Sequence, residues 1–389
     1  MLALRKLAEE RVDIVVISPE RWFSYRPLVV AEPFGLGSAR RFDLAEMVAD
    51  ASAELVEGAV ASVHPSTNTL RLADGESLGY DALVIACGAR RRAPFPEALT
   101  FWGPGASDQM SELVQDFEGG WVPGVAFALP RGSGWPLPLY ELALLTSSHL
   151  ASEGVDGVEL MLVTPEAAPL ELFGPVASES IGRLLTSRGF GLFTGCEPTG
   201  YRRGELSLSP AGRLHAERVV TLPRLEGPGV KGLPVGPHGF IPVDYFGRVA
   251  GLEGVYAAGD ATTVPIKQGG LAAQMADVVA AQIARDAGAE VEVEPFRPIL
   301  RGMLLTGETA RYLRTESDAG GDEEAIVAEH ALWWPPSKVA GRYLAPYLAT
   351  IATSELAMAR PATREPMQVE IELDAALAGG QGSSLRRRS

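Results

Sequence analysis

One phrase occurs twice in this chain, and it limits the fold more than any other feature. Asp13-Ile-Val-Val-Ile17 runs into Ser18-Pro19-Glu20, and Glu159-Leu-Met-Leu-Val163 runs into Thr164-Pro165-Glu166. Each is a short, nearly continuous apolar run closed by a proline turn, the pattern of a strand covered on both faces. Each also follows a stretch rich in helix formers at helical spacing, residues 2–11 in the first case and 139–152 in the second. An internal duplication of one structural unit is the economical explanation.

The second copy shows what precedes its helix. Val125-Ala-Phe-Ala-Leu129 reads as a buried strand, and Pro130-Arg-Gly-Ser-Gly-Trp-Pro136 turns the chain into the helix. Copy two is therefore β–loop–α–β, the opening of a Rossmann-type unit. Copy one starts at its helix. Pro130 precedes Glu166 by 36 positions, and 36 positions before Glu20 is position −16 (20 − 36). The expectation is that a first strand and a G-x-G-x-x-G-like loop, roughly 20–25 residues, stand ahead of Met1. Without them the sheet of copy one has an open seam, and a nucleotide loses the N–H groups that would cradle its phosphates. The chain as given is then expected to bind a nucleotide weakly or not at all.

Copy one continues with Leu70-Arg-Leu-Ala-Asp74-Gly75, a hairpin with Asp-Gly as its turn. Tyr80-Asp-Ala-Leu-Val-Ile-Ala86 reads as a strand ending in Cys87-Gly88-Ala89. After copy two the chain returns to Val255-Tyr-Ala-Ala258, Gly259-Asp260 and a long helix over 270–287. The fold class is α/β: two Rossmann-like dinucleotide-binding domains, the second inserted in the first, plus a small C-terminal segment. The expected boundaries are 1–110 and 234–292 for the two parts of the first domain and 111–233 for the second. Residues 293–360 form the C-terminal segment and 361–389 a tail, disordered from about 375, where Gly and Ser precede three arginines.

Composition narrows the chemistry. A chain of 389 residues exceeds one ordinary core. Its net charge of −15 gives no support to a nucleic-acid partner. The two cysteines, Cys87 and Cys196, are 109 positions apart, which excludes a disulfide framework, a zinc site of usual spacing and a local redox dithiol. No apolar run is long enough to span a membrane and no signal peptide is present, so the cytoplasm is the expected compartment. Nothing in the sequence specifies an oligomer.

These motifs resemble those of a known group. Tyr80-Asp81 through Ala86-Cys87-Gly88 resembles the strand and turn shared by two-dinucleotide-domain flavoproteins of the pyridine nucleotide-disulfide oxidoreductase fold. Gly254-Val-Tyr-Ala-Ala-Gly-Asp260 resembles their second FAD signature. The spacing from Ser18 to Tyr25-Arg26-Pro27-Leu28 resembles the loop after the second strand in sulfide:quinone oxidoreductases and type II NADH dehydrogenases. The resemblance covers most of residues 1–350 and implies an FAD-dependent oxidoreductase passing electrons from a small-molecule donor to a quinone or other small acceptor. It implies a cofactor site at Glu20, Arg26, Pro27, Val60, Cys87, Gly88, Gly259, Asp260, Lys267, Gln268 and Gly269, with Lys267 and Gln268 at the reacting end.

The residues themselves leave alternatives open. Glycine lets a backbone approach a ligand closely and a carboxylate accepts hydrogen bonds from ribityl hydroxyls, which suits Gly259-Asp260. The other reading is a strand-end turn with a helix-capping aspartate. Lys267 and the positive end of the following helix would stabilise negative charge on a reduced flavin; otherwise Lys267 is an exposed lysine at a junction. Glu20 serves a ribose or sits in a solvated turn. Cys87, in place of the usual threonine, reads as a small buried residue, and Cys196 as structural.

For the donor, the missing cysteine pair argues against disulfide chemistry. The position resembling a substrate-side cysteine of sulfide:quinone oxidoreductases carries Trp135, which would shield the flavin or simply pack. NAD(P) is the second candidate cofactor, with Glu166 on a ribose diol. Pro136 and Pro138, however, supply no N–H to a phosphate cradle. An NAD(P)H-dependent flavin reductase and a non-catalytic flavin-binding or inactive truncated protein are the alternatives. The stretch from Trp333 to Ile351 carries aromatics, cations and apolar residues at helical spacing. It reads as a helix packed over the flavin domain in preference to a peripheral membrane contact, because the acidic net charge disfavours anionic lipid.

Overall fold

Parallel strand pairing organises the computed structural model, which describes residues 1–102, 104–317 and 323–351. Copy one comprises α1 (Leu2–Ala8), β1 (Val15–Ser18), the hairpin of β2 (Trp22–Tyr25) and β3 (Arg40–Asp43), α2 (Leu44–Asp50) and β4 (Glu54–Glu57). An antiparallel sheet of β5 (Val60–His64), β6 (Thr69–Leu72) and β7 (Ser77–Gly79) follows, and then β8 (Leu83–Ile85). From β9 (Arg90–Arg92) the chain enters copy two: β10 (Leu99–Thr100), α3 (Pro104–Glu118), β11 (Gly124–Ala128), α4 (Leu137–Ser152), β12 (Glu159–Val163), α5 (Gly174–Ser187) and β13 (Gly191–Phe193). The antiparallel β14 (Glu197–Arg202), β15 (Glu205–Ser209) and β16 (Gly212–His215) lead to β17 (Arg218–Thr221). β18 (Arg224–Glu226) pairs back onto β9, and β19 (Val255–Ala257) with α6 (Gly269–Asp286) returns to copy one. An antiparallel sheet of β20 (Ile299–Leu304), β21 (Arg311–Ser317) and β22 (Glu323–Ala328), and then α7 (Leu344–Ile351), close the described chain.

Copy two forms a five-stranded parallel sheet in the order β10-β17-β11-β12-β13. Its centre, β11, is buried along its whole length, as a strand with a parallel neighbour on each edge and helices on its faces must be. Val125 pairs with Leu160 on one side and Arg218 on the other. Helix α4 is apolar nearly all round and buries ten of its residues, among them Leu139, Leu142, Leu144 and Leu145.

Copy one repeats this plan with a gap. β1 pairs with β4, and β8 with β19, each pair parallel, but among the described residues β1 and β8 belong to separate sheets. Written beside copy two's β13-β12-β11-β17-β10, copy one reads β4-β1, an open position, then β8-β19. The open position corresponds to β11. Val15 on β1 is 49% exposed and Val84 on β8 is 40% exposed, whereas Val125 and Val220 in copy two are wholly buried.

Element limits shift modestly from the sequence reading. The first helix stops at Ala8, and Glu9–Arg11 form a 3-10 turn after Glu9 takes a φ of 53°. The first strand starts at Val15 and α4 at Leu137. The Asp74-Gly75 turn forms as expected, with Gly75 at φ 101° and Asp74 accepting from the Glu76 amide. The helix expected between Trp333 and Ile351 forms only in its last part. Residues 333–343 are irregular and only α7, eight residues, is helical. Trp334 is 88% exposed while Lys338 is drawn inside, so this stretch follows its own contacts and not a helical face. No helix among the described residues is long and apolar enough to cross a membrane. The expected tail from 361 onward lies outside the described residues.

Candidate functional site

The parallel pairing of β8 with β19 sets their carboxyl ends side by side, with Ala258 donating its amide to Ile85 O at 3.0 Å. Beyond β8, Gly88 turns at φ 74°, and a Cβ built there meets no atom within 4 Å, so the strand end faces open space. Cys87 beside it is exposed, correcting the expectation of a small buried residue: it follows the end of β8, beyond the strand's buried Leu83 and Ile85. Beyond β19, Gly259 has φ 71° and a Cβ there stands 3.0 Å from Ala272 Cβ. Here glycine is required both by its conformation and by the approach of α6. Thr262 closes the turn, its amide and hydroxyl both donating to Gly259 O at 3.1 and 2.9 Å.

Asp260 caps no helix. The cap of α6 is Gln268, whose Oε1 accepts from the Leu271 amide at 2.8 Å while Nε2 donates to Arg301 O at 2.9 Å. Both ends of the Gln268 amide are thus engaged in joining α6 to β20. Desolvation raises the Asp260 carboxyl above its usual range, opposed by Lys267 and then Arg91. Lys267 is buried, correcting the alternative of an exposed junction lysine. Its Nζ donates to Thr262 O and lies 3.8 Å from the Phe240 ring centroid. Desolvation pushes it down to about 8 against the pull of Asp260.

Copy two presses directly on this lysine. The Lys267 amide donates to Gly134 O at 3.0 Å, and a Cβ on Gly134 would stand 2.5 Å from Lys267 Cγ. The start of α6 is covered from the other side, where a Cβ on Gly269 would stand 3.0 Å from Val339 Cγ2. Next to Val339, Lys338 forms a buried ion pair with Glu141 of α4 at 2.5 Å and also donates to Pro27 O at 3.0 Å. One ammonium thereby joins copy one, copy two and the C-terminal segment. Desolvation raises Glu141 and lowers Lys338, and each is held back by its partner.

The remaining residues expected from sequence separate into two groups. Arg26 faces Trp102, its Cζ 5.1 Å from the ring centroid, and Arg91 reaches the same ring at 3.0 Å. Arg91 and Lys267 each oppose the upward push on the Asp260 carboxyl, and the charge of Arg26 acts in turn on Arg91. Glu20 and Val60 take no part in these contacts. Glu20 is exposed in a turn closed by Ser18 Oγ accepting its amide at 3.1 Å. Val60 opens β5 and packs with Ile17 and Val56 on the copy one core. Arg91 and Trp102 were missed from sequence, although the Arg90-Arg91-Arg92 run just past Cys87-Gly88-Ala89 is a visible basic signal.

In copy two, Glu166 is 8% exposed; its Oε2 accepts from Tyr140 Oη at 2.6 Å and Thr164 Oγ1 at 2.8 Å, while Oε1 is buried without a hydrogen-bond partner among the described residues. Trp135 packs edge-on against Phe173 at 5.9 Å and joins the copy two core, so of its two readings packing is the one found. Among the described residues no cluster of His, Cys, Asp and Glu could hold a metal ion.

No family model matches the sequence. Solved structures do match the fold. The sulfide:quinone oxidoreductase of the hyperthermophilic bacterium Aquifex aeolicus is 18% identical over 84% of this chain and 83% of its own, with a TM-score of 0.75. A ferredoxin reductase for the CYP199A2 system from Rhodopseudomonas palustris is 20% identical over 85% of both chains, with a TM-score of 0.62. NDH2 from Plasmodium falciparum, solved with NADH, is 15% identical over 67% of this chain and 61% of its own, with a TM-score of 0.55. The chain thus shares the α/β fold of these structures, with Rossmann-type parallel sheets.

Proposed function

We propose that this chain is an FAD-dependent oxidoreductase that passes electrons from a small-molecule donor through the flavin to a quinone or another small acceptor. The observation that carries this reading is the paired carboxyl ends of β8 and β19, where Gly88 opens on free space and Gly259 lets α6 close over Asp260. Nucleotides lie in the crevice outside the carboxyl ends of parallel strands in such folds. The neighbourhood fits the group: a desolvated carboxylate without a hydrogen-bond partner among the described residues is free to accept ribityl hydroxyls. When bound, FAD would supply two-electron chemistry at its ring system. Gly259, Asp260 and Gly88 would hold it, with Arg26 and the Pro27 loop alongside. Lys267 would contribute its positive charge from beneath, since its ammonium is committed to Thr262 O and Phe240. Gln268 would position the helix start without touching the reacting atoms, because both ends of its amide are used.

The cytoplasm is the proposed compartment, and a peripheral membrane contact is not favoured because the acidic net charge of −15 disfavours anionic lipid. A second reading, NAD(P)H as donor, is favoured by the complete five-stranded sheet of copy two. It requires Glu166 or another group to take the ribose. Purified protein titrated with FAD and followed at 450 nm, then mixed with NADH, NADPH and sulfide, tests both. No FAD binding defeats the flavin reading; bound FAD that NADH and NADPH fail to bleach removes the second.

A further inference from the structure

At the amino ends of β10 and β17, away from the strand ends where nucleotides lie in such folds, copy two holds a cavity of about 310 Å³. Its floor is apolar: Leu99 opens β10, Val219 belongs to β17, and Leu113 comes from the buried face of α3. Its rim is acidic, with Glu112 and Asp116 one helical turn apart on α3 and Glu97 from the segment before β10. Asp108, a turn before Glu112, continues the row, and α3 has no lysine or arginine to offset it. Among the described residues the Glu112 and Asp116 side chains make no hydrogen bond or ion pair. The other charged groups of the lining are engaged elsewhere. Glu97 accepts the Arg203 amide at 2.7 Å and has Arg202 3.8 Å away. The Arg218 guanidinium donates to Glu217 O at 3.1 Å and lies 3.5 Å from the Glu217 carboxylate. Two carboxylates without counter-ions over an apolar floor match an arginine side chain, whose planar fork takes carboxylates and whose stem packs on apolar surface.

The sequence carries such side chains itself. Leu385-Arg386-Arg387-Arg388 lies outside the described residues, 34 positions (385 − 351) past the end of α7. A tether of that length spans up to about 110 Å, against a radius of gyration of about 20 Å for a globular chain of this size, so reach is not limiting. On a chain of net charge −15, three consecutive arginines are drawn to acidic surface, and the tether keeps them at high local concentration. We propose that the cavity beside α3 is the docking site for the arginine run Arg386–Arg388 of the same chain. The guanidinium forks meet Glu112 and Asp116, the stems lie over Leu99, Leu113 and Val219, and Asp108 extends the contact along α3. The contact is independent of the flavin reading, because it belongs to the opposite end of the copy two sheet.

Fluorescence anisotropy with a labelled peptide of residues 381–389 tests this on two full-length proteins, the parent and a variant with Arg386, Arg387 and Arg388 all changed to Gln. The glutamine variant, its cavity left free, should bind the peptide saturably, and more weakly as salt is raised. The parent should bind it about tenfold or more weaker, because its own arginines compete at the local concentration a tether gives. Adding Glu112→Gln and Asp116→Asn to the glutamine variant should cost about tenfold or more in peptide affinity. A peptide with glutamine in place of each arginine should not bind. Thermal melting separates lost binding from lost folding, and Glu112→Gln or Asp116→Asn alone serves if the pair does not fold. No saturable binding by the glutamine variant overturns the proposal. So does binding indifferent to both carboxylates. Equal peptide binding by parent and glutamine variant also overturns it, and leaves the cavity to a basic segment of another protein.

Discussion

Copies one and two follow the same plan, and the difference lies in one strand position. Copy two fills it with β11, which draws β12 and β17 onto its edges and is buried throughout. In copy one no strand occupies it among the described residues, and the four parallel strands there fall into two separate pairs. The comparison teaches how much a doubly wound sheet owes to its central strand. That strand supplies two ladders of hydrogen bonds and the surface on which both helical layers pack. The largest apolar cluster packs around β11 with Val125, Phe127 and Leu162 and reaches Val29, Val30 and Leu271 of copy one, while smaller clusters around Val63 and Tyr256 lie within copy one.

The bond between the copies should break at the greatest cost. Lys338→Ala leaves Glu141 buried and unpaired and is expected to destabilise the protein by about 3–5 kcal/mol, read by chemical denaturation. Lys338→Met combined with Glu141→Leu should recover most of that. A double variant as unstable as the single one would show that the pair matters for something besides its charges.

Core truncation should separate the two sheets. Phe127→Ala in β11 is expected to cost about 3–5 kcal/mol, and Ile17→Ala in β1, only partly buried, about 1–2 kcal/mol. Amide exchange should agree, with slow exchange in β11 and β12 and faster exchange in β1 and β8. Equal losses and equal protection would mean that the seam of copy one is as firmly closed as the sheet of copy two.

Lys267 offers a pH test at the contact of the copies. Its folded pKa, about 8, is below the ordinary lysine value of 10.5, so the unfolded chain binds more protons between those limits. Stability is therefore reduced below pH 8 and recovers as pH rises from 8 to 10.5. The Lys267→Met variant should lack this rise, a difference on the order of 1–2 kcal/mol across the window. Parallel profiles for parent and variant would place the lysine in a more solvated setting. The smallest effect is expected at the ligand: Asp260→Asn should weaken FAD about tenfold, roughly 1.4 kcal/mol, without lowering the melting temperature. Unchanged affinity would remove Asp260 from the cofactor neighbourhood.

Much of the fold was legible because it rests on local patterns. The repeated strand-and-turn phrase, the Asp74-Gly75 hairpin and the inserted copy follow from apolar runs and turn residues that act over a few positions. The site was less legible. Gly259 and Gly88 announce themselves by residue type, but Arg91 and Trp102 meet only after β9 and β10 are placed, and no spacing reveals that. Nor does the position of Glu166 after β12 reveal that Tyr140, 26 residues earlier, engages one of its carboxylate oxygens. The stretch at 333–351 misled because helical periodicity ignores Lys338, whose burial against Glu141 and Pro27 dictates an irregular path.

That single ammonium has a consequence for motion. Positions 27, 141 and 338 converge on it from the two copies and the C-terminal segment, so rotating one copy against the other would pull a charged pair apart in a dry interior. A hinge at this junction is the costly mode of opening. Traffic of small molecules to the ends of β8 and β19 is then expected to depend on side chains and surface loops swinging aside while the frame around them stays rigid.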